Sequence, residues 1–83
     1  MQKYNFSDPF TKTKQVVEVS ENHEPGLQHI AGKNNYICLC RGFGQNNKEP
    51  RCKYRIMAGT PSLAARHAIV KYREDISEIQ SNQ

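Results

Sequence analysis

The chain contains no run of even ten apolar residues. A membrane-spanning helix needs about 20, so the sequence predicts none. Its first 20 residues also lack the apolar segment of a secretory signal peptide. We therefore expect a cytoplasmic protein, in an intracellular reducing compartment, that does not contact a membrane.

Cysteine is scarce as well, with only Cys38, Cys40 and Cys52. Three thiols are too few, and odd in number, for a disulfide framework. Together with His29 they would offer four zinc ligands, although C-x-C is not the paired C-x-x-C spacing of zinc knuckles. Thiols on the inward faces of strands are more often small buried hydrophobes. We expect core packing and no metal or other cofactor, with a zinc site as the alternative.

Signatures of catalysis are missing too. The 83 residues hold no paired carboxylates, no phosphate-binding GxxxxGK loop and no supported Ser–His–Asp arrangement. A chain of this length forms one small domain that buries only about 60% of its unfolded surface. The sequence therefore predicts a single domain, residues 1–83, that is not an enzyme.

Acidic residues are nearly absent from residues 41–73, where eight bases face Glu49 alone, a net charge of +7. Residues 1–40 are neutral and the last ten carry −3, so the overall +4 conceals a strongly basic segment. Such segregation points to a polyanionic partner, either nucleic acid or a nucleoprotein complex, or to an acidic host protein. A merely solvated basic surface is the alternative.

Alternation of apolar and polar residues predicts the strands. Residues 15–20 form one strand, and residues 35–41 and 51–58 form a hairpin with a long connection. Residues 27–31 are a possible further short strand. We expect residues 1–14 to form an irregular arm, so that the antiparallel sheet lies within residues 15–58.

A single helix is predicted over residues 60–79. Thr60 suits the N-cap, and Pro61 suits the first helical position, where a missing N–H costs least. Apolar residues then recur at helical spacing: Ala65, Ile69, Tyr72, Ile76 and Ile79. The predicted fold is α+β, a small antiparallel sheet of three to four strands packed on one C-terminal helix.

The returning strand of the hairpin has two different faces. Side chains alternate across a strand, so Cys52, Tyr54, Ile56 and Ala58 face the helix. The opposite face, which carries Arg51, Lys53, Arg55 and Met57, is turned to solvent. The three cations span about 13 Å with no acid between them along the strand. We interpret them as a binding row; the alternative is protection of the strand against edge aggregation.

The hairpin loop adds further candidates. Its glycines let backbone approach a phosphate, Asn46 can read an adenine edge, and Phe43 can stack on a base. Alternatively, Phe43 folds back onto the core. The complete candidate site for nucleic acid or another partner is Arg41, Phe43, Asn46, Lys48, Arg51, Lys53 and Arg55.

The run of strand YICLC, loop RGFGQNNKEP, strand CKYRIM and helix GTPSLAARHAIVKY resembles a known architecture. It is similar to the three-stranded-sheet-plus-helix domains that bind DNA in phage integrase arms and in ethylene-response-type plant factors. The resemblance implies a sheet in the major groove. It would place Arg51, Lys53 and Arg55 on DNA, with Arg41 and Lys48 near the backbone.

Size and layout also resemble small phage anti-defence proteins, including anti-CRISPR proteins. That resemblance implies a different function, an inhibitor encoded by a phage or mobile element that blocks a host defence complex by protein–protein contact. Phe43 or Met57 would then serve as the anchor in the interface. Whether the chain self-associates is left open by the sequence.

Overall fold

The computed structural model describes residues 1–44 and 48–81. Within them, four strands form one antiparallel sheet of order β1-β2-β3-β4, packed on a C-terminal helix. The predicted α+β class is therefore confirmed. The elements are β1 Gln2–Ser7, β2 Lys14–Glu21, β3 Asn34–Phe43, β4 Cys52–Ala58 and α1 Pro61–Ser81.

Residues 2–7 form a strand, so the prediction of an irregular arm over residues 1–14 was wrong for this segment, while residues 8–13 form the irregular turn between β1 and β2. β1 pairs with β2 from Gln2 opposite Val19 to Ser7 opposite Lys14. Half-buried and exposed side chains alternate along β1, and its inward side chains, Tyr4 and Phe6, are half-buried and pack against the core. Burial of these rings fixes the register, because a slip of one residue would turn them to solvent.

The remaining element boundaries differ in smaller ways. Residues 27–31 are not a strand but part of the β2–β3 connection. β3 continues to Phe43, two residues beyond its predicted end, because β2 pairs with it as far as Lys14 opposite Phe43. α1 runs two residues past the predicted 79.

The core lies between the sheet and α1. Small residues of the helix, Ala64, Ala65 and Ala68, are fully buried, so the helix backbone approaches the sheet closely. Ile79, the last residue of the predicted apolar stripe, is 44% exposed and lies outside the core. The remaining buried core residues are Val17, Val19, Tyr36, Cys38, Cys40, Ile56, Ala58, Ile69, Tyr72 and Ile76.

Polar contacts hold the sheet and the helix together at their edges. The Tyr54 hydroxyl of β4 donates a hydrogen bond to the Asp75 carboxylate of α1. The Tyr72 hydroxyl of α1 donates to the backbone carbonyl of Pro50, just before β4. These hydrogen bonds let two largely buried tyrosines place their polar ends without leaving a buried group unsatisfied.

The cysteines pack in the core, as the core-packing interpretation expects. Cys38 and Cys40 are buried, and desolvation raises the pKa of their thiols to about 11 and about 12. His29 is exposed in the β2–β3 connection. Among the described residues, no group of three or more His, Cys, Asp or Glu could hold a metal ion.

Among the described residues, no helix is both long enough and apolar enough to cross a membrane.

We expect the three thiols to react at very different rates with a maleimide near pH 7.5. Cys52 is partly exposed, whereas the other two thiols are buried and desolvation raises their pKa, which makes their reactive thiolate forms rare. Mass spectrometry should show one fast label, lost in Cys52→Ser, and three labels after unfolding. Rapid labelling of Cys38 or Cys40 in the folded protein would contradict this packing.

Thr60 caps the helix as predicted. The backbone N–H of Leu63 donates to the Thr60 hydroxyl at 3.2 Å, and the N–H of Ala64 donates to the Thr60 carbonyl at 3.0 Å. We expect Thr60→Ala to lower the free energy of unfolding by about 1 kcal/mol in urea titrations. The exposed Ser77→Ala serves as control and should be neutral or slightly stabilising. Equal effects of the two variants would contradict the cap.

Candidate nucleic-acid interface on the open face of the sheet

One face of the sheet packs on α1, and the other, here the open face, does not. Strand alternation and register assign the residues of each face. Arg51 directly precedes β4 and joins the open face at a pocket between β3 and β4. The strand residues of the open face are Lys3, Asn5, Ser7, Lys14, Val16, Glu18, Ser20, Asn35, Ile37, Leu39, Arg41, Phe43, Lys53, Arg55 and Met57.

Positive charge is concentrated on this face. Its strands contribute a single acid, Glu18, against several cations. On α1, by contrast, three bases are offset by three acids: Arg66, Lys71 and Arg73 against Glu74, Asp75 and Glu78. Of the net +7 of residues 41–73, the three charges on α1 are offset within the helix and Lys48 is offset by Glu49, so the charge that remains belongs to the open face. The six cations of the open face are Lys3, Lys14, Arg41, Arg51, Lys53 and Arg55.

Arg55 is not the unpaired cation that the strand pattern suggested. Its guanidinium forms two hydrogen bonds with Glu24, Nε to Oε1 at 2.8 Å and one terminal nitrogen to Oε2 at 3.3 Å. These bonds hold the pKa of Glu24 below its ordinary value and raise that of Arg55. Glu24 belongs to the β2–β3 connection, which reaches the open face at one end of the sheet. There the Asn35 side-chain amide donates to the Gln28 carbonyl at 3.0 Å.

Arg41 lies in β3, within the predicted strand, and it also has an acidic neighbour. One of its terminal nitrogens lies 3.6 Å from Oε1 of Glu18 on β2. Across the strands Arg41 stands opposite Val16, which is buried although it lies on the open face. Both side chains are partly buried, with 33% of Arg41 and 19% of Glu18 exposed, and this pair offsets part of the charge of Arg41 while one third of the side chain stays accessible to an external anion.

The predicted binding row consists of Arg51, Lys53 and Arg55. Of these three exposed cations, Arg51 and Lys53 form no ion pair with a described residue. They line a shallow pocket of about 310 Å³ together with Leu39, Arg41 and Glu18. The pocket brings three predicted site residues to one place: Arg41 from β3, and Arg51 and Lys53 at the start of β4. A pocket lined mainly by positive charge raises the local concentration of anions, and Glu18 offsets part of that charge here.

The other predicted residues are placed differently. Phe43 ends β3 on the open face and is 54% exposed, so its ring lies outside the core. Lys48 is exposed, and the residues after it are anchored toward the helix: Glu49 accepts from the Gln15 amide at 3.0 Å, and Pro50 accepts from Tyr72. Asn46 lies outside the described residues.

The sequence interpretation did not assign two cations and two apolar residues to the open face. Lys3 and Lys14 come from the segment interpreted as an arm, and Ile37 and Leu39 come from β3, whose outward face was not considered. The signal for β1 was present in residues 3–7, where Tyr4 and Phe6 alternate with polar residues.

No model of a known protein family matches the chain, and neither does a curated protein or a solved structure.

Contact with Arg55 should be visible in the titration of Glu24. Because the pKa of this carboxyl is lowered in the folded state, its contribution to stability is present above the ordinary value of 4.5 and is lost as pH falls through the lowered pKa. NMR titration of the side chain should give a midpoint below 4.5. Arg55→Ala should return it toward that value, whereas Arg66→Ala should leave it in place. A midpoint insensitive to Arg55 would contradict the contact.

Proposed function

We propose that this chain is a small, non-enzymatic binding module that engages nucleic acid, free or within a nucleoprotein, through the open face. The observation that carries the proposal is the pocket where Arg41, Arg51 and Lys53 converge on a face rich in cations and poor in acids. The suggested contacts are with the phosphate backbone, because phosphates are the regularly spaced anions that such a face fits.

The two kinds of cation have different roles at phosphate. A guanidinium presents a planar fork that binds two phosphate oxygens at once, whereas an ammonium acts as a point charge. Arg51 would fix the position of a phosphate, and Lys53 would strengthen the attraction along the strand. Each neutralised phosphate releases condensed counterions, so the affinity must fall as salt rises.

A second function, inhibition of a host complex by protein–protein contact, is favoured by one specific observation. Leu39 is 41% exposed and Phe43 is 54% exposed on the same face as the cations. A mixed apolar and basic patch of this kind also fits an acidic protein surface. The resemblance to anti-defence proteins belongs with this alternative, in which Phe43 is an anchor of the interface.

The double variant Arg51→Ala/Lys53→Ala tests the nucleic-acid proposal against a matched control. Arg66→Ala/Lys71→Ala removes the same charge from exposed positions of α1. Fluorescence anisotropy with labelled 20-nucleotide single strands and duplexes should show at least tenfold weaker binding only for the open-face variant. With about 0.7–0.9 counterions released per phosphate, the slope of log K against log salt should fall by about 1.4–1.8 in magnitude.

Three results would contradict the proposal: no binding by the unaltered protein at about 50 mM salt, binding without a salt slope, or equal losses in the two double variants. A stoichiometric complex with an acidic protein that forms in the presence of nuclease and is disrupted by Phe43→Ala would favour the inhibitor instead.

Glu24→Gln should strengthen binding, because it releases Arg55 from its carboxylate. An exposed ion pair contributes about 0.2–1 kcal/mol, which corresponds to roughly a 1.4- to 5-fold gain in affinity. Glu74→Gln on α1 makes the same change in net charge at an exposed position away from the open face. Anisotropy titrations should show a gain for Glu24→Gln that exceeds that of Glu74→Gln. Equal gains would show that only the overall charge matters.

A further inference from the structure

β3, an inner strand of the sheet, carries an apolar strip on the open face. The strip consists of Ile37, Leu39 and Phe43; Leu39 is 41% exposed, Phe43 is 54% exposed and Ile37 is half-buried. The helix lies on the opposite face, so it cannot cover these side chains. Arg41 lies between Leu39 and Phe43 on this face, so one cation interrupts the strip. Exposed apolar groups within a charged face are typical of a surface that binds a partner.

The register places this strip directly beside a row of cations. Leu39 stands opposite Lys53, and Ile37 stands opposite Arg55. Directly opposed side chains have Cβ atoms about 5 Å apart. Two parallel tracks result: a largely apolar track along β3, which Arg41 interrupts between Leu39 and Phe43, and a cationic track along β4. A chain that combines flat apolar groups with regularly spaced negative charges would match both tracks.

Single-stranded nucleic acid has this combination and a duplex does not. In a duplex the base faces are stacked inside, and only the groove edges and phosphates are presented. An open strand exposes the faces of its bases, which stack on aromatic side chains without regard to sequence. A duplex would occupy the cations but leave the apolar strip without a matching surface.

We propose that the open face binds single-stranded nucleic acid in preference to duplex, with bases on the apolar strip and phosphates on Arg51 and Lys53. This inference rests on the proposed function and specifies its ligand. Phe43 is the stacking residue, since it is the aromatic side chain of the strip. Leu39 contacts another base beside Lys53, on the far side of Arg41 from Phe43. The hydrophobic contact releases no counterions and depends little on salt, whereas the phosphate contacts weaken as salt rises.

Three oligonucleotides of one length separate the contributions of bases and phosphates. They are a 20-nucleotide single strand without self-complementarity, its duplex, and an abasic strand that keeps the sugar-phosphate chain and lacks the bases. Anisotropy titrations at about 100 mM salt with the unaltered protein should give the tightest binding to the single strand. The duplex and the abasic strand should each bind at least about tenfold more weakly. DNA and RNA forms are both measured, because stacking does not distinguish them.

Substitution in the apolar strip provides the second arm of the test. Alanine replacement of a stacking residue costs at least about fivefold in affinity, so Phe43→Ala should weaken single-strand binding to that extent. It should leave duplex and abasic binding within about twofold, and Leu39→Ala should act in the same direction. Phe10→Ala is the matched control, because Phe10 is 93% exposed and lines a different pocket, beside Arg73 and Ile76 of α1.

The outcomes separate this inference from the proposed function. Equal affinity for the single strand, the duplex and the abasic strand would overturn the preference for single strands but would leave the proposed phosphate binding intact. A duplex bound more tightly than the single strand would do the same. Failure of all three oligonucleotides to bind would overturn both proposals and favour a protein partner. The comparison of oligonucleotides uses the unaltered protein, so it decides the question even if a substituted protein does not fold.

Discussion

A single helix can cover only one face of a sheet, and this constraint organises the rest of the molecule. The described chain forms four strands and one helix, and the core lies between them. The buried alanines of α1 and the buried cysteines of β3 have short side chains, so the core between the helix and the sheet is thin. A thin core suits a chain of only 83 residues. The helix does not cover the second face of the sheet, and most of its side chains are available for something other than packing in the core.

The open face shows what that freedom allows. Charges along its four strands are mostly positive, while the charges of α1 balance one another. Two acids moderate the positive field locally, Glu18 beside Arg41 and Glu24 on Arg55. Arg51 and Lys53 are left exposed beside the apolar strip of β3, so charge and apolar surface meet at one place rather than being spread over the molecule.

Much of the fold could be predicted because its signals are local. Alternation in β4 assigned Ile56 to the core and Lys53 to solvent, and the Thr60-Pro61 pair marked the start of α1. β1 could not be recognised with the same ease, because Tyr4 and Phe6 are decisive only once the rest of the core exists to bury them. The contact between Glu24 and Arg55 joins residues 31 positions apart, and no local pattern encodes such a distance.

The sequence by itself determined the fold class, the position of the helix and the separation of apolar from basic residues along β4, because side-chain periodicity and capping act between near neighbours. Only the tertiary structure decided which cations share a surface and which of them are already paired. Strand order places Lys3 and Lys14 on the face of Lys53, and the β2–β3 connection delivers Glu24 to Arg55. Both results depend on chain segments that meet only after folding.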